Sequence, residues 1–119
     1  MVNLRGQLGE EAAADYLQAQ GYVVVARNWR SRFGEIDIIA RDGKTLAFIE
    51  VKTRSRQRGK FGTPLDAITP DKVRRLSWLA IDFSARYNLN VPIRLDVVTV
   101  AGQGELELIK GIEPVDINR

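Results

Sequence analysis

Two runs of β-forming residues, Glu35 to Arg41 and Lys44 to Lys52, flank the dipeptide Asp42-Gly43, and that composition is a strong short-range signal for an antiparallel hairpin. Thr45 to Lys52 alternates, so Leu46, Phe48, Glu50 and Lys52 share one face while Ala47, Ile49 and Val51 share the other. A two-residue loop at Asp42-Gly43 pairs Arg41 with Lys44, Ile39 with Leu46, Asp37 with Phe48 and Glu35 with Glu50. Asp37 then lies diagonal to Glu50 on one face. A three-residue loop would turn Asp37 to the opposite face, so any constellation of these acids depends on an even register.

At 119 residues the chain is expected to form one domain, 1–119, with a single core. Its 45% hydrophobic and 28% charged content is ordinary for a globular protein and carries no signature of disorder. Cysteine and histidine are both absent, which removes disulfides, thiolate metal sites, zinc hydrolases and His- or Cys-based triads. Carboxylates and lysine are left as the catalytic groups, and any catalytic metal would be hard and oxygen-ligated. Met1 to Gly21 is too charged for a signal peptide, and no apolar run reaches the roughly 20 residues that span a bilayer. The expectation is a cytoplasmic protein that does not engage the membrane. The net charge of +3 is modest, so the clustering of the 18 lysines and arginines matters more than their sum.

Leu4 to Gln20 reads as a helix, with Leu4, Leu8, Ala12 and Tyr16 at four-residue steps, Ala13 and Leu17 widening the stripe, Asn3 as a cap and Gly21 as a stop. Tyr22 to Ala26 is a nearly continuous apolar run suited to a strand covered on both faces, and polar Arg27 to Phe33 follows it. After the hairpin, Thr53 to Gly62 reads as a loop. Thr69-Pro70-Asp71 starts a second helix with a capping hydroxyl, a proline and an acid near the positive end of the dipole. Its buried stripe is Val73, Leu76, Leu79, Ala80, Phe83 and Tyr87. Ile93 to Val100 is a further strand, Gly102-Gln103-Gly104 a turn, and Glu105 to Ile109 a last strand at a sheet edge. The order αβββαββ fits an α/β fold with a mixed sheet flanked by helices.

Hydrolysis of a phosphodiester needs charge neutralisation at the phosphate, an activated water and a stabilised leaving oxygen. Magnesium held by Asp37 and Glu50, with the Val51 carbonyl, would supply much of this, because magnesium keeps several waters and needs few protein ligands. Lys52, one strand repeat from Glu50 at roughly 6–7 Å between alpha carbons, is placed to orient the water or stabilise the crowded phosphorane. The plainer reading makes Glu50 and Lys52 a solvated pair on a half-exposed strand. Leu46 and Phe48 on the same face argue against it, since charges on a covered face need partners or a ligand. On the first helix Glu10, Glu11 and Asp15 all border the apolar stripe, and the helical wheel does not choose among them.

Basic residues surround the hairpin: Arg27, Arg30 and Arg32 before it, Lys52, Arg54, Arg56, Arg58 and Lys60 after it. Two basic arms converging on an acidic centre fit a phosphate backbone track better than they fit solubility alone. Lys72 falls within the apolar arc of the second helix, so it either snorkels or reaches the site, whereas Arg74 and Arg75 lie off the stripe and read as surface. Trp29 and Trp78 could stack on bases, but helix packing is the better reading for both.

Arg5-Gly6 with Gly9-Glu10, Gly34-Glu35-Ile36-Asp37, Phe48-Ile49-Glu50-Val51-Lys52-Thr53-Arg54, and then Pro70, Lys72 and Leu76 together resemble the small bacterial YraN-like proteins over nearly the whole chain. Those proteins are similar to archaeal Holliday junction resolvases and to the PD-(D/E)xK, restriction-endonuclease-like, superfamily. The resemblance implies a restriction-endonuclease-like sheet and a Mg2+ or Mn2+ ion among Glu10, Asp37, Glu50 and Lys52, and it favours Glu10 over Glu11. Ile36 stands where many superfamily members carry proline, a departure common among resolvase-like members. The implied activity is a metal-dependent, structure-selective endonuclease acting on branched DNA in repair, with Arg30, Arg32, Arg54, Arg56, Arg58, Lys60 and Lys72 on the nucleic acid. A homodimer would suit a two-fold junction. The alternative is an accessory protein that binds nucleic acid and cuts little, since a fold does not fix a function.

Overall fold

The computed structural model describes residues 4–53, 68–101 and 104–112, with side chains from residue 8 onward. Asn3, Arg54, Arg56, Arg58, Lys60 and the predicted turn residues Gly102 and Gln103 lie outside the described residues. The elements run α1 (Leu4–Ala19), β1 (Val23–Ser31), β2 (Gly34–Asp42), β3 (Thr45–Thr53), α2 (Pro70–Arg86), β4 (Ile93–Val100) and β5 (Leu106–Ile109). The five strands form one open sheet in the order β1-β2-β3-β4-β5. β3 and β4 pair in parallel across the α2 crossover, and every other neighbouring pair is antiparallel. This is the expected mixed sheet with a helix against each face, in the order αβββαββ.

Each face of the sheet has its own core. On one, Ala13, Ala14 and Leu17 of α1 pack with Ile38, Ala40, Ala47, Ile49 and Val98. On the other, Val73, Leu76, Leu79, Ala80 and Phe83 of α2 pack on Ile39, Leu46, Phe48 and Leu95. The α2 stripe is the one its periodicity gives, except that Tyr87 is half exposed, and Thr69 caps the helix by accepting the Lys72 N–H at 3.2 Å. The α1 stripe is rotated from the expected one. Ala13, Ala14 and Leu17 are buried while Leu8 is 69% exposed, because the small alanines let the helix settle close to the sheet along that line. No described helix is long and apolar enough to cross a membrane.

Two strands depart from expectation. β1 does not stop at Ala26 but runs to Ser31 and turns through Arg32-Phe33 into β2. It is also an edge strand with Val23 and Val25 half exposed, so its apolar run is not covered on both faces. The hairpin between β2 and β3 keeps a two-residue loop, but the loop is Gly43-Lys44 and the register slides by one pair, with Asp42 opposite Thr45 and Ile39 opposite Phe48. Gly43, at φ +63°, takes the first loop position, while Asp42 stays in the strand because Arg94 and Lys110 donate to its carboxylate at 2.8 and 3.3 Å. The slide preserves parity. Glu35 is therefore not the partner of Glu50, and continuing the ladder one pair past Ile38 and Ile49 brings Asp37 across from Glu50.

Candidate functional site

The site forms where β2 and β3 part company. Their ladder ends at Ile38 and Ile49, and the Asp37 carboxylate inserts into the gap to accept the Val51 N–H at 2.8 Å. Strict alternation fails at this point in β2, since Ile36 and Ile39 both join the α2 core while Ile38 joins the α1 core. Asp37 sits at the roll between the two faces. Opposite it in β1, Asn28 adopts a left-handed φ of +53°, so the neighbouring strand is irregular at the same level. A polar side chain that takes over a main-chain bond inside a sheet is rigidly aimed, which is what a ligating or catalytic carboxylate requires.

Glu50 is buried on β3, and Lys52 is half-buried two residues further along the same face. Glu10 reaches the group from α1. Gly9 makes that approach feasible, because a Cβ there would stand 2.6 Å from the Thr53 hydroxyl at the end of β3. Asn28 and Asp37 are the polar neighbours that act on the Glu10 carboxyl. Burial raises the pKa of Glu50, and the charge of Asp37 adds to the rise. Burial also raises Asp37, with Glu35 adding to it and the Val51 N–H and Arg75 opposing it. Glu10 is raised by burial and then by Asp37. On the facing helix, burial and the neighbouring Lys52 ammonium lower the Lys72 pKa. Three acids and one lysine are thus all pushed toward their neutral forms, the mark of charges gathered without full compensation.

Arg75 supplies part of that compensation. Its guanidinium donates to the Glu35 carbonyl at 2.9 Å and stands 3.9 Å from Glu50. The expectation that Arg75 is a surface residue is therefore corrected, while Arg74 does lie on the surface, bonded to Asp71 at 3.0 Å. The readable signal was spacing, since Arg75 follows Lys72 by three residues and so shares its flank of α2. Asn28 and Glu35 were also absent from the predicted set, and an asparagine with a positive φ inside a strand has no sequence signature of its own. Arg30 is exposed and pairs with Glu35 at 3.4 Å, whereas Arg32 lies over the Phe33 ring at 4.9 Å. Arg27 is paired with Glu11 at 3.3 Å. Trp29 meets Phe83 edge-on and Trp78 stacks on Phe33, so both indoles serve helix–sheet packing.

Among the described residues, no three acidic side chains converge as a metal cage. Asp37, bonded to the Val51 N–H, and Glu50, under the charges of Lys72 and Lys52, remain a two-carboxylate set, and magnesium is commonly held by only one or two carboxylates with waters.

A family model described as "Uncharacterised protein family UPF0102" matches residues 9–100, a span that contains Glu10, Asp37, Glu50, Lys52, Lys72 and Arg75. The chain belongs to the UPF0102 family. A UPF0102 protein of Mycolicibacterium vanbaalenii is 53% identical over 96 residues, covering 80% of this chain and 78% of the relative. One from Syntrophus aciditrophicus is 48% identical over 113 residues, covering 91% and 87%, and one from Bacteroides fragilis is 43% identical over 101 residues, covering 85% and 82%. Membership of the small bacterial family expected from the motifs is thereby established. Together with the helix-flanked mixed sheet, UPF0102 membership places the chain in the PD-(D/E)xK-like superfamily.

Proposed function

We propose that this protein is a Mg2+- or Mn2+-dependent, structure-selective DNA endonuclease. The observation that carries the reading is the fork itself, where the Asp37 carboxylate fills the gap at the end of the β2–β3 ladder across from buried Glu50, whose proton affinity burial and the Asp37 charge raise, with Lys52 and Lys72 close by. Like charges held together at a cost in burial are what a site for a cation looks like before the cation is counted. Asp37, Glu50 and the Val51 carbonyl would hold the ion, with Glu10 as an outer carboxylate beside Asp37. When bound, the ion supplies Lewis-acid charge neutralisation and an acidified water. Lys52 places an ammonium where the attacking water or the developing phosphorane charge would lie, and Lys72 meets a neighbouring phosphate oxygen. Arg30 and Arg32, at the β1–β2 turn, extend the basic surface along a nucleic-acid backbone, and Arg54, Arg56, Arg58 and Lys60 are assigned to the same track by their sequence position. Backbone contacts of this kind position a duplex without reading its bases, so selectivity would rest on the structure of the nucleic acid. Branched DNA is the substrate that the resolvase resemblance favours, with two copies needed for a symmetric junction.

Cleavage of four-way junction, flap, single-stranded and linear duplex DNA in Mg2+, Mn2+ or EDTA, alongside Asp37→Ala, tests this directly. The expected result is metal-dependent cutting of a branched substrate that disappears in the variant while the fold is retained. The second reading is an accessory protein that binds nucleic acid without cutting, favoured by the lack of a three-acid cage among the described residues. Salt-sensitive binding to junctions with no cleavage in any metal would select it.

A further inference from the structure

Among the described residues Arg75 is the one cation within ion-pair range of Glu50, and three contacts hold it there. Its Nη1 donates to the Glu35 carbonyl at 2.9 Å, and its aliphatic stem runs so close under Gly34 that a Cβ there would meet Cδ at 3.1 Å. Its Nη2 stands 3.9 Å from Glu50 Oε2, within ion-pair range but beyond a hydrogen bond. The Arg75 side chain is about two-thirds covered, with 32% of it exposed. Among the described residues the Glu35 carbonyl is its one hydrogen-bond acceptor, out of a guanidinium's five N–H donors. It is thus anchored by the main chain and not by the carboxylate it faces.

We propose that Arg75 is a fixed counter-charge that sets the balance of the site between cation and phosphate. Its positive charge stands in for part of a divalent ion beside Glu50 and so weakens metal binding, while the same charge and the donors not used on Glu35 attract a phosphate and strengthen nucleic-acid binding. The lowering influence of Arg75 on both the Asp37 and Glu50 pKa values is in keeping with a charge shared between the two acids. This inference rests on the metal-dependent nuclease reading above. It makes one substitution act with opposite signs on two ligands, which loss of structural support cannot do.

The test uses the full chain with Arg75→Gln, which can still donate to the Glu35 carbonyl but carries no charge, and Arg75→Lys, which keeps the charge and loses the fork. Calorimetric titration with MnCl2 and anisotropy of a fluorescein-labelled four-way junction in EDTA read the two affinities. Arg75→Gln is expected to tighten Mn2+ binding by about three- to tenfold and to weaken junction binding by about fivefold, as loss of one unit charge at contact distance dictates. Arg75→Lys should leave both within about twofold of wild type. If Gln behaves as wild type and Lys weakens both ligands, Arg75 acts through its bond to Glu35 and the proposal is overturned. Weakening of both ligands by both variants overturns it as well. Mn2+ uptake absent from the wild type itself would instead remove the metal reading, and this inference with it.

Discussion

The sheet carries two charged clusters, and they treat their charges in opposite ways. At one corner Asp96, fully buried, accepts from the Tyr22 hydroxyl at 2.9 Å, from Arg94 at 2.9 and 3.0 Å, and from the Gly111 N–H at 3.0 Å. Arg94 also donates to Asp42, whose pKa is lowered by that hydrogen bond and by Lys110, while burial beside Asp96 raises the Tyr22 hydroxyl. Every acid in that cluster has its cation. At the fork Asp37, Glu50 and Glu10 are instead raised by burial and by acidic neighbours, and Arg75 reaches Glu50 only at ion-pair distance. A buried ionic group that is fully paired is architecture, whereas one left short of charge is poised for a ligand.

If that contrast is right, the paired cluster is where substitution harms stability most. Asp96→Ala takes the buried partner from Arg94, leaving it Asp42 alone, and removes the acceptor of the Tyr22 hydroxyl and the Gly111 N–H, so thermal denaturation should register a loss of about 3–5 kcal/mol. Next comes Gly9→Ala, whose methyl would press on Thr53; α1 must move, at about 1–3 kcal/mol, and cleavage should fall with it because Glu10 is displaced. Tyr22→Phe removes one of two donors to Asp96 Oδ2 and is expected to cost about 1 kcal/mol with cleavage intact. The smallest effect belongs to Asp37→Asn, which keeps an acceptor for the Val51 N–H and removes a repelling charge: no loss of melting temperature at pH 7, yet no cleavage.

The two clusters should also diverge with pH. Acids with raised native pKa values bind more protons folded than unfolded, so their contribution to stability rises as pH falls from neutrality toward the ordinary carboxylate range and is lost again on raising it. Asp42, lowered by its partners, contributes stability above its unfolded pKa and loses it as pH falls through its native one. Melting curves of wild type and Asp37→Asn between pH 7 and pH 5 should therefore converge or cross toward the acid side. Parallel curves would mean that the fork is as well compensated as the Asp96 corner.

Local signals carried some elements to the residue. Thr69-Pro70 starts α2 where its capping chemistry says, and Ile93–Val100 is the strand its apolar run describes. That Asp37 and Glu50 share a face was also readable, because hairpin parity is a property of a short window, whereas helical spacing left Lys72 between snorkelling and facing Glu50, and the fold brings it near Glu50. What was not readable depends on contacts distant in sequence. The hairpin register is set by Arg94 and Lys110 on Asp42, the extension of β1 by pairing with β2, and the entry of Arg75 into the site by the Glu35 carbonyl forty residues earlier. Nothing between Arg27 and Phe33 looks like a strand until a partner supplies its hydrogen bonds.

The anchoring of Asp42 has a consequence for the order of events as the chain is made. Two registers of the β2–β3 hairpin share the same facing of side chains and differ by one pair, and only one of them sets Asp37 across from Glu50. The groups that hold Asp42 in that register, Arg94 and Lys110, leave the ribosome long after the turn itself. A nascent chain can close its hairpin early, but the spacing of its acids is fixed only when β4 and the Lys110 segment dock, so the geometry of the fork is completed by residues made long after it.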